Sequence, residues 1–118
     1  MILIKHPRNW GLKEKEVRVA ARKALRDLGY WESDTELSIV FMGKIRAKKL
    51  NIKYRKKSYI PQVLAFPMSR EVDSDGLIRL GDIVICTEKL KYEAKLLNNN
   101  LDEVLKEWMI HGVENLMK

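Results

Sequence analysis

The sequence predicts an α+β fold: a single domain over residues 1–118, with a small mixed sheet of about four strands packed against helices. Three observations predict it. Residues 37–42 and 80–86 are rich in branched and aromatic side chains, as strands are, whereas residues 12–28 and the stretch after Asp102 space their apolar residues as helices do. The resulting order, β-α-β-α-β-β-α-α, puts two strands in succession, which breaks the regular alternation of an all-parallel sheet. Finally, 118 residues suffice for one core.

Each element follows from local pattern. Ile2-Leu3-Ile4 reads as a short first strand, punctuated by Trp10-Gly11. Residues 12–28 form a helix whose stripe is Val17, Ala20, Ala21, Ala24, Leu25 and Leu28, and Gly29 stops it. Asp34-Thr35 marks a turn before the strand 37–42, and Gly43 ends that strand. Residues 44–54 predict a second helix with Ile45, Leu50 and Tyr54 inward. Residues 56–61 are a loop, and 62–66 a short strand limited by Pro67. In the polar stretch 68–79, Asp73-Ser74-Asp75-Gly76 is a turn signal. The run Leu80-Gly81-Asp82-Ile83-Val84-Ile85-Cys86 predicts the most buried strand. Thr87 is placed to cap the next helix, 88–97, with Glu88 at its positive end, and Asn98-Asn99-Asn100 ends it. The last helix carries Val104, Leu105, Trp108, Met109, Val113 and Leu116.

Composition narrows the classes of function. No apolar run approaches the ~18 residues that span a bilayer, and no secretory signal pattern opens the chain. One cysteine, Cys86, forms no internal disulfide and reads as a buried inert thiol, which fits a reducing cytoplasm. The formal net charge is +7, which favours polyanionic partners. Its distribution is uneven. Between residues 44 and 57 stand Lys44, Arg46, Lys48, Lys49, Lys53, Arg55, Lys56 and Lys57, with no acid among them. That segment is either a footprint on phosphates or a solvated helix face.

Four blocks carry a resemblance. They are Leu50-Asn51-Ile52-Lys53-Tyr54-Arg55, Val63-Leu64-Ala65-Phe66-Pro67, Leu80-Gly81-Asp82-Ile83-Val84-Ile85-Cys86, and the final His111-Gly112-Val113-Glu114-Asn115-Leu116-Met117-Lys118. In this order they resemble the YbeY family of bacterial ribosomal-RNA maturation factors, described as metal-dependent endoribonucleases. The resemblance implies a sheet of about four strands packed on helices, zinc as the family's metal, and ribosomal RNA or the small ribosomal subunit as partner. It also implies that Arg55 lines the cleft beside the metal and acts on RNA phosphate, a task suited to a bidentate guanidinium. Asp82, retained in its block, is expected to orient backbone or a neighbouring side chain.

The family's metal motif reads H-G-x-L-H-L-x-G-Y-D-H. Two histidines four apart share one helix face, and a third folds back to complete the ligand set. Here His111 and Gly112 match. Glu114 replaces a leucine, Asn115 replaces the second ligand, Lys118 falls at a glycine, and the third histidine lies beyond Lys118. The domain, 1–118, thus lacks the C-terminal part of that motif. Glu114, three residues from His111, flanks the same face and is a candidate second donor; nothing places His6 nearby. One imidazole does not hold zinc. The expectation is therefore that this chain binds no ion stably and that His111 is a partly buried histidine of a terminal helix. The site residues are Arg55 and His111 for catalysis, His111 for metal, and Lys44, Lys48, Lys49, Lys53, Arg55, Lys56 and Lys57 for RNA.

Three functions follow. The first is a maturation factor cutting RNA with a metal whose other ligands come from outside these residues. The second is a protein of the same fold that binds RNA or the ribosome without cutting. The third, a metalloprotease-like hydrolase, is disfavoured by the lack of H-E-x-x-H.

Overall fold

The computed structural model describes residues 1–69, 71–98 and 100–118. The elements are β1 (Ile2–Lys5), α1 (Glu14–Asp27), β2 (Thr35–Met42), α2 (Lys44–Arg55), β3 (Val63–Pro67), β4 (Ile78–Cys86), α3 (Thr87–Leu96) and α4 (Leu101–Leu116). The predicted order and the α+β class hold, with a 3-10 turn at Glu32–Asp34 before β2. The strands form one mixed sheet in the order β1-β2-β4-β3. β1 and β4 run parallel to β2, while β3 pairs antiparallel with β4.

Period-two alternation gives the sheet two apolar faces. Leu37, Ile39 and Phe41 of β2 and Ile83 and Ile85 of β4 point to the inner face, where residues of α1, α3 and α4 cover them. Met42, Leu64, Val84 and Cys86 point to the outer face, where Ala47 of α2 joins them. Cys86 is buried, as expected of an inert thiol.

Helix α1 stops where the sequence predicts. The Tyr30 N–H donates to the Leu25 carbonyl at 2.9 Å and the Gly29 N–H to Arg26 at 3.1 Å, which satisfies two of the last carbonyls. Between Glu36 and Leu37 the register with β4 shifts by a bulge, and Gly81 sits there at φ +131°. A Cβ at Gly81 would lie 2.2 Å from the Phe66 carbonyl oxygen, so only glycine lets β3 and β4 approach. The predicted turn forms: the Gly76 N–H donates to Asp73 at 2.9 Å and the Leu77 N–H to Asp75 Oδ1 at 3.0 Å. Arg79 binds Glu36 at 2.8 Å, Asp75 at 2.7 Å and also Asp73. Its guanidinium holds the Asp75 carboxyl below the usual carboxylate range. Arg70, in the same polar stretch, lies outside the described residues.

Three local expectations change, and the Glu88 reading gains a second role. In α2, Ala47 and Asn51 turn inward, Leu50 is half-buried, and Ile45 and Tyr54 are exposed. The helix lies close on the outer face, where a methyl and an amide fit. Thr87 does not cap α3, because β4 runs into α3 without a connecting residue and Cys86 occupies the cap position. The Thr87 hydroxyl is buried with no hydrogen-bond partner among the described residues. Glu88 does more than face its own helix: it accepts from the Lys44 N–H at 3.1 Å and so caps α2. Asn100, grouped with the end of α3, instead caps α4 by accepting from the Asp102 N–H at 2.7 Å. Asn99 lies outside the described residues.

Candidate functional site

An open cleft of about 630 Å³ runs along the β3 edge, between the C-terminal end of α2 and one face of α4. The intact Leu50–Arg55 block builds one wall. Asn51 is fully buried, and its Nδ2 donates to the Tyr59 carbonyl at 3.0 Å. Its Oδ1 accepts from Arg55 Nη1 at 3.4 Å. The Lys57 N–H also reaches the Asn51 carbonyl at 3.3 Å, after Lys56 turns the chain at φ 59°. One buried amide therefore ties down the loop after α2 and steers Arg55 to the rim, where Tyr59, Ile60 and Pro61 continue the lining.

The opposite wall is α4. Gly112 and Val113 pack inward, so His111 points out beside Trp108 and Asn115. His111 is exposed, not partly buried as expected, because the buried stripe of α4 passes through its neighbours. Arg55 and His111 thus line the same cleft. Glu114 is not among the lining residues; Glu107, four residues before His111, takes that face, and Glu93 and Lys89 of α3 complete the floor with Gln62. Helical spacing alone could have found Glu107 and Trp108. Lys89 and Glu93 come from a separate helix, and nothing local in the sequence pairs them with His111. His6 stacks on Trp10 at 4.0 Å and pairs with Glu14 at 3.3 Å, outside the cleft lining.

Of the ligand-type side chains, the cleft lining offers one imidazole, His111, and the carboxylates Glu93 and Glu107. Asn115 offers an amide where an imidazole or carboxylate is needed. Among the described residues no three of the His, Cys, Asp and Glu side chains converge as a metal site.

The basic residues divide by geometry. Lys44 pairs with Glu88 at 3.7 Å, so its charge is already answered. Among the described residues Lys48, Lys49, Lys53, Arg55, Lys56 and Lys57 have no carboxylate partner, and nor does Arg46; all are exposed. Arg46, Lys49 and Lys53 rim a hollow of about 200 Å³ beside Leu50. Among the described residues Asp82 has no partner to orient: it is exposed on the outer face. None of the described helices is long and apolar enough to cross a membrane.

Comparison with known proteins agrees with this architecture. The family model described as Endoribonuclease YbeY matches residues 5–117. An Endoribonuclease YbeY of Aquifex aeolicus is 34% identical over 111 residues, covering 90% of this chain and 71% of the relative. One from Alkaliphilus metalliredigens is 29% identical over 111 residues, covering 90% and 72%. A solution structure of a Thermotoga maritima protein superposes with a TM-score of 0.66 at 21% identity, covering 100% of this chain and 73% of that one, which speaks for the fold. With a family match over residues 5–117 and a relative 34% identical over most of its length, the chain belongs to the YbeY endoribonuclease family.

Proposed function

We infer that this chain serves ribosomal-RNA maturation by gripping RNA, and that it does not cut RNA by itself. The observation that carries this reading is the row of exposed cations on and just after α2, without a carboxylate partner among the described residues, leading through Arg55 into the cleft. Cations already neutralised by carboxylates gain little from phosphates, whereas unpaired ones release counterions on binding. Arg55 suits a bidentate phosphate contact, and Asn51 fixes its position. His111, Gln62 and Asn115 offer hydrogen bonds to sugar and phosphate oxygens around it. The family's zinc would supply an activated water, but the cleft's single imidazole and its amide neighbour speak against a bound ion here. Ribosomal RNA or the small ribosomal subunit is the partner of this reading, and the cytoplasm its setting.

The test is RNA binding by the wild type and by a variant carrying Lys48→Glu, Lys49→Glu, Lys53→Glu and Arg55→Glu. Salt-dependent binding lost in the variant supports the reading; equal binding by both proteins contradicts it. A second reading, RNA cleavage, is favoured by the position of Arg55 and His111 on one cleft of this chain. Stoichiometric zinc in the purified chain, with RNA cleavage that disappears in His111→Ala, would establish that reading instead.

A further inference from the structure

The outer face of the sheet holds a groove that neither the cleft nor its chemistry uses. It measures about 390 Å³, at the small end of the roughly 300–1,000 Å³ range of small-ligand sites. Its floor is apolar, built from Val40, Leu50, Phe66 and Val84. Tyr54 forms a wall: it is 56% exposed and held edge-to-face with Phe66 at 5.3 Å. Asp82 is the one carboxylate in the lining. Its position opposite Phe66 and Ser38 in the register places it on the open part of that face. It has no hydrogen bond or ion pair among the described residues. The hollow rimmed by Arg46, Lys49 and Lys53 adjoins through Leu50, and the Lys53 ammonium sits 5.1 Å from the Tyr54 ring.

An aromatic wall, an apolar floor, a cationic rim and one acceptor unpaired among the described residues are complementary to an unstacked nucleobase attached to a phosphate chain. The acceptor narrows which base. A carboxylate only accepts hydrogen bonds, through two oxygens side by side. Guanine alone presents two adjacent donors on its pairing edge, the N1 hydrogen and the exocyclic amino group. Cytosine and adenine each present one amino group there, and uracil one imino hydrogen. We propose that the groove between α2 and the sheet is a base pocket for guanosine in single-stranded RNA. In it Tyr54 stacks the base, Asp82 accepts from its pairing edge, and Arg46, Lys49 and Lys53 hold the flanking phosphates. This rests on the reading of the chain as an RNA-binding protein and adds to it a base preference on a surface separate from the cleft.

The experiment uses the whole chain and three fluorescent probes: an oligouridylate carrying one central guanosine, the same oligomer with inosine there, and the all-uridine oligomer. A bidentate pair predicts that the guanosine oligomer binds about five- to tenfold tighter than the all-uridine one. Inosine, which lacks the amino group, falls between them. Asp82→Asn removes the preference while all-uridine binding holds or rises, since a repulsive charge is lost. Tyr54→Leu weakens the guanosine oligomer by about fivefold or more through lost stacking. Both side chains are exposed, so both variants should fold. Equal affinity for the three oligomers, or a preference that survives Asp82→Asn, overturns the pocket and leaves the RNA-binding reading standing. If the wild type binds none of the oligomers with salt dependence, both are overturned.

Discussion

Gly112→Ala sets two effects of similar size against each other at the contact that seats α4, and with it His111, on the sheet. Alanine is favoured over glycine inside a helix by about 0.8–1.0 kcal/mol. A Cβ at residue 112, however, would lie 2.9 Å from Ile83 Cγ2, 3.0 Å from Cδ1 and 3.3 Å from Cγ1. Carbon pairs prefer about 3.5–4.0 Å. Ile83 has little room to yield: it is fully buried, stiff at χ1, and fixed in register between Ile39 and Ala65. Overpacking of this kind costs about 1–3 kcal/mol, so the net change is a loss of about 0–2 kcal/mol. The sharper expectation is a reversal of sign. In an Ile83→Ala background all three contacting atoms are gone. There Gly112→Ala should stabilise by about 1 kcal/mol, through helix propensity and partial filling of the cavity. Ile83→Ala alone should cost about 2–5 kcal/mol, which a typical domain survives. Urea denaturation of the four proteins in this cycle measures each step. If Gly112→Ala stabilises the wild-type background by the same amount, α4 does not approach β4 this closely and the account of the His111 wall fails.

Three further outcomes are expected. Asn51→Ala should lower stability by about 1–3 kcal/mol and also weaken RNA binding, because the amide secures the loop that carries Arg55 into the cleft; stability loss with unchanged RNA affinity would separate the two roles. Gly81→Ala should destabilise by at least about 2 kcal/mol in chemical denaturation, since it combines a positive φ with a collision against the Phe66 carbonyl. The hydrogen bond from Arg22 to Glu32, 2.6 Å long, holds the Glu32 carboxyl below its ordinary value of 4.5. Its stabilisation is therefore present above that value and is lost as pH falls through the lower folded one. Both side chains are partly exposed, so Arg22→Gln should cost about 0.2–1 kcal/mol at neutral pH and nothing in strong acid, read from urea midpoints at each pH.

The sheet was legible because β2 and β4 are buried by alternation, and an alternating pattern survives whatever covers it. The helix α1 was legible from its stripe and its glycine. The orientation of α2 was not. Ile45 and Tyr54 are its conspicuous apolar residues, yet close packing on the outer face selects the small Ala47 and the amide Asn51. The direction of Asn51 depends on the Tyr59 carbonyl, which the loop brings back from eight residues away. Caps at Cys86 and Asn100 depend on where one element meets the next, which composition does not record. At the cleft, helix periodicity around His111 was readable but ambiguous: Glu114 and Glu107 both flank it by spacing, and the inward packing of Gly112 and Val113 decides for Glu107. The contributions of Lys89 and Glu93 are purely tertiary.

The claim that unpaired cations on α2 grip RNA is tested most directly by the slope of log affinity against log salt. Each phosphate neutralised on a single strand contributes about −0.7. If four to seven of the free cations engage, the wild type should show a slope between about −3 and −5, and Lys48→Ala with Lys49→Ala should reduce it by about 1.4. A slope near zero, or one that the paired substitution leaves unchanged, would contradict the account.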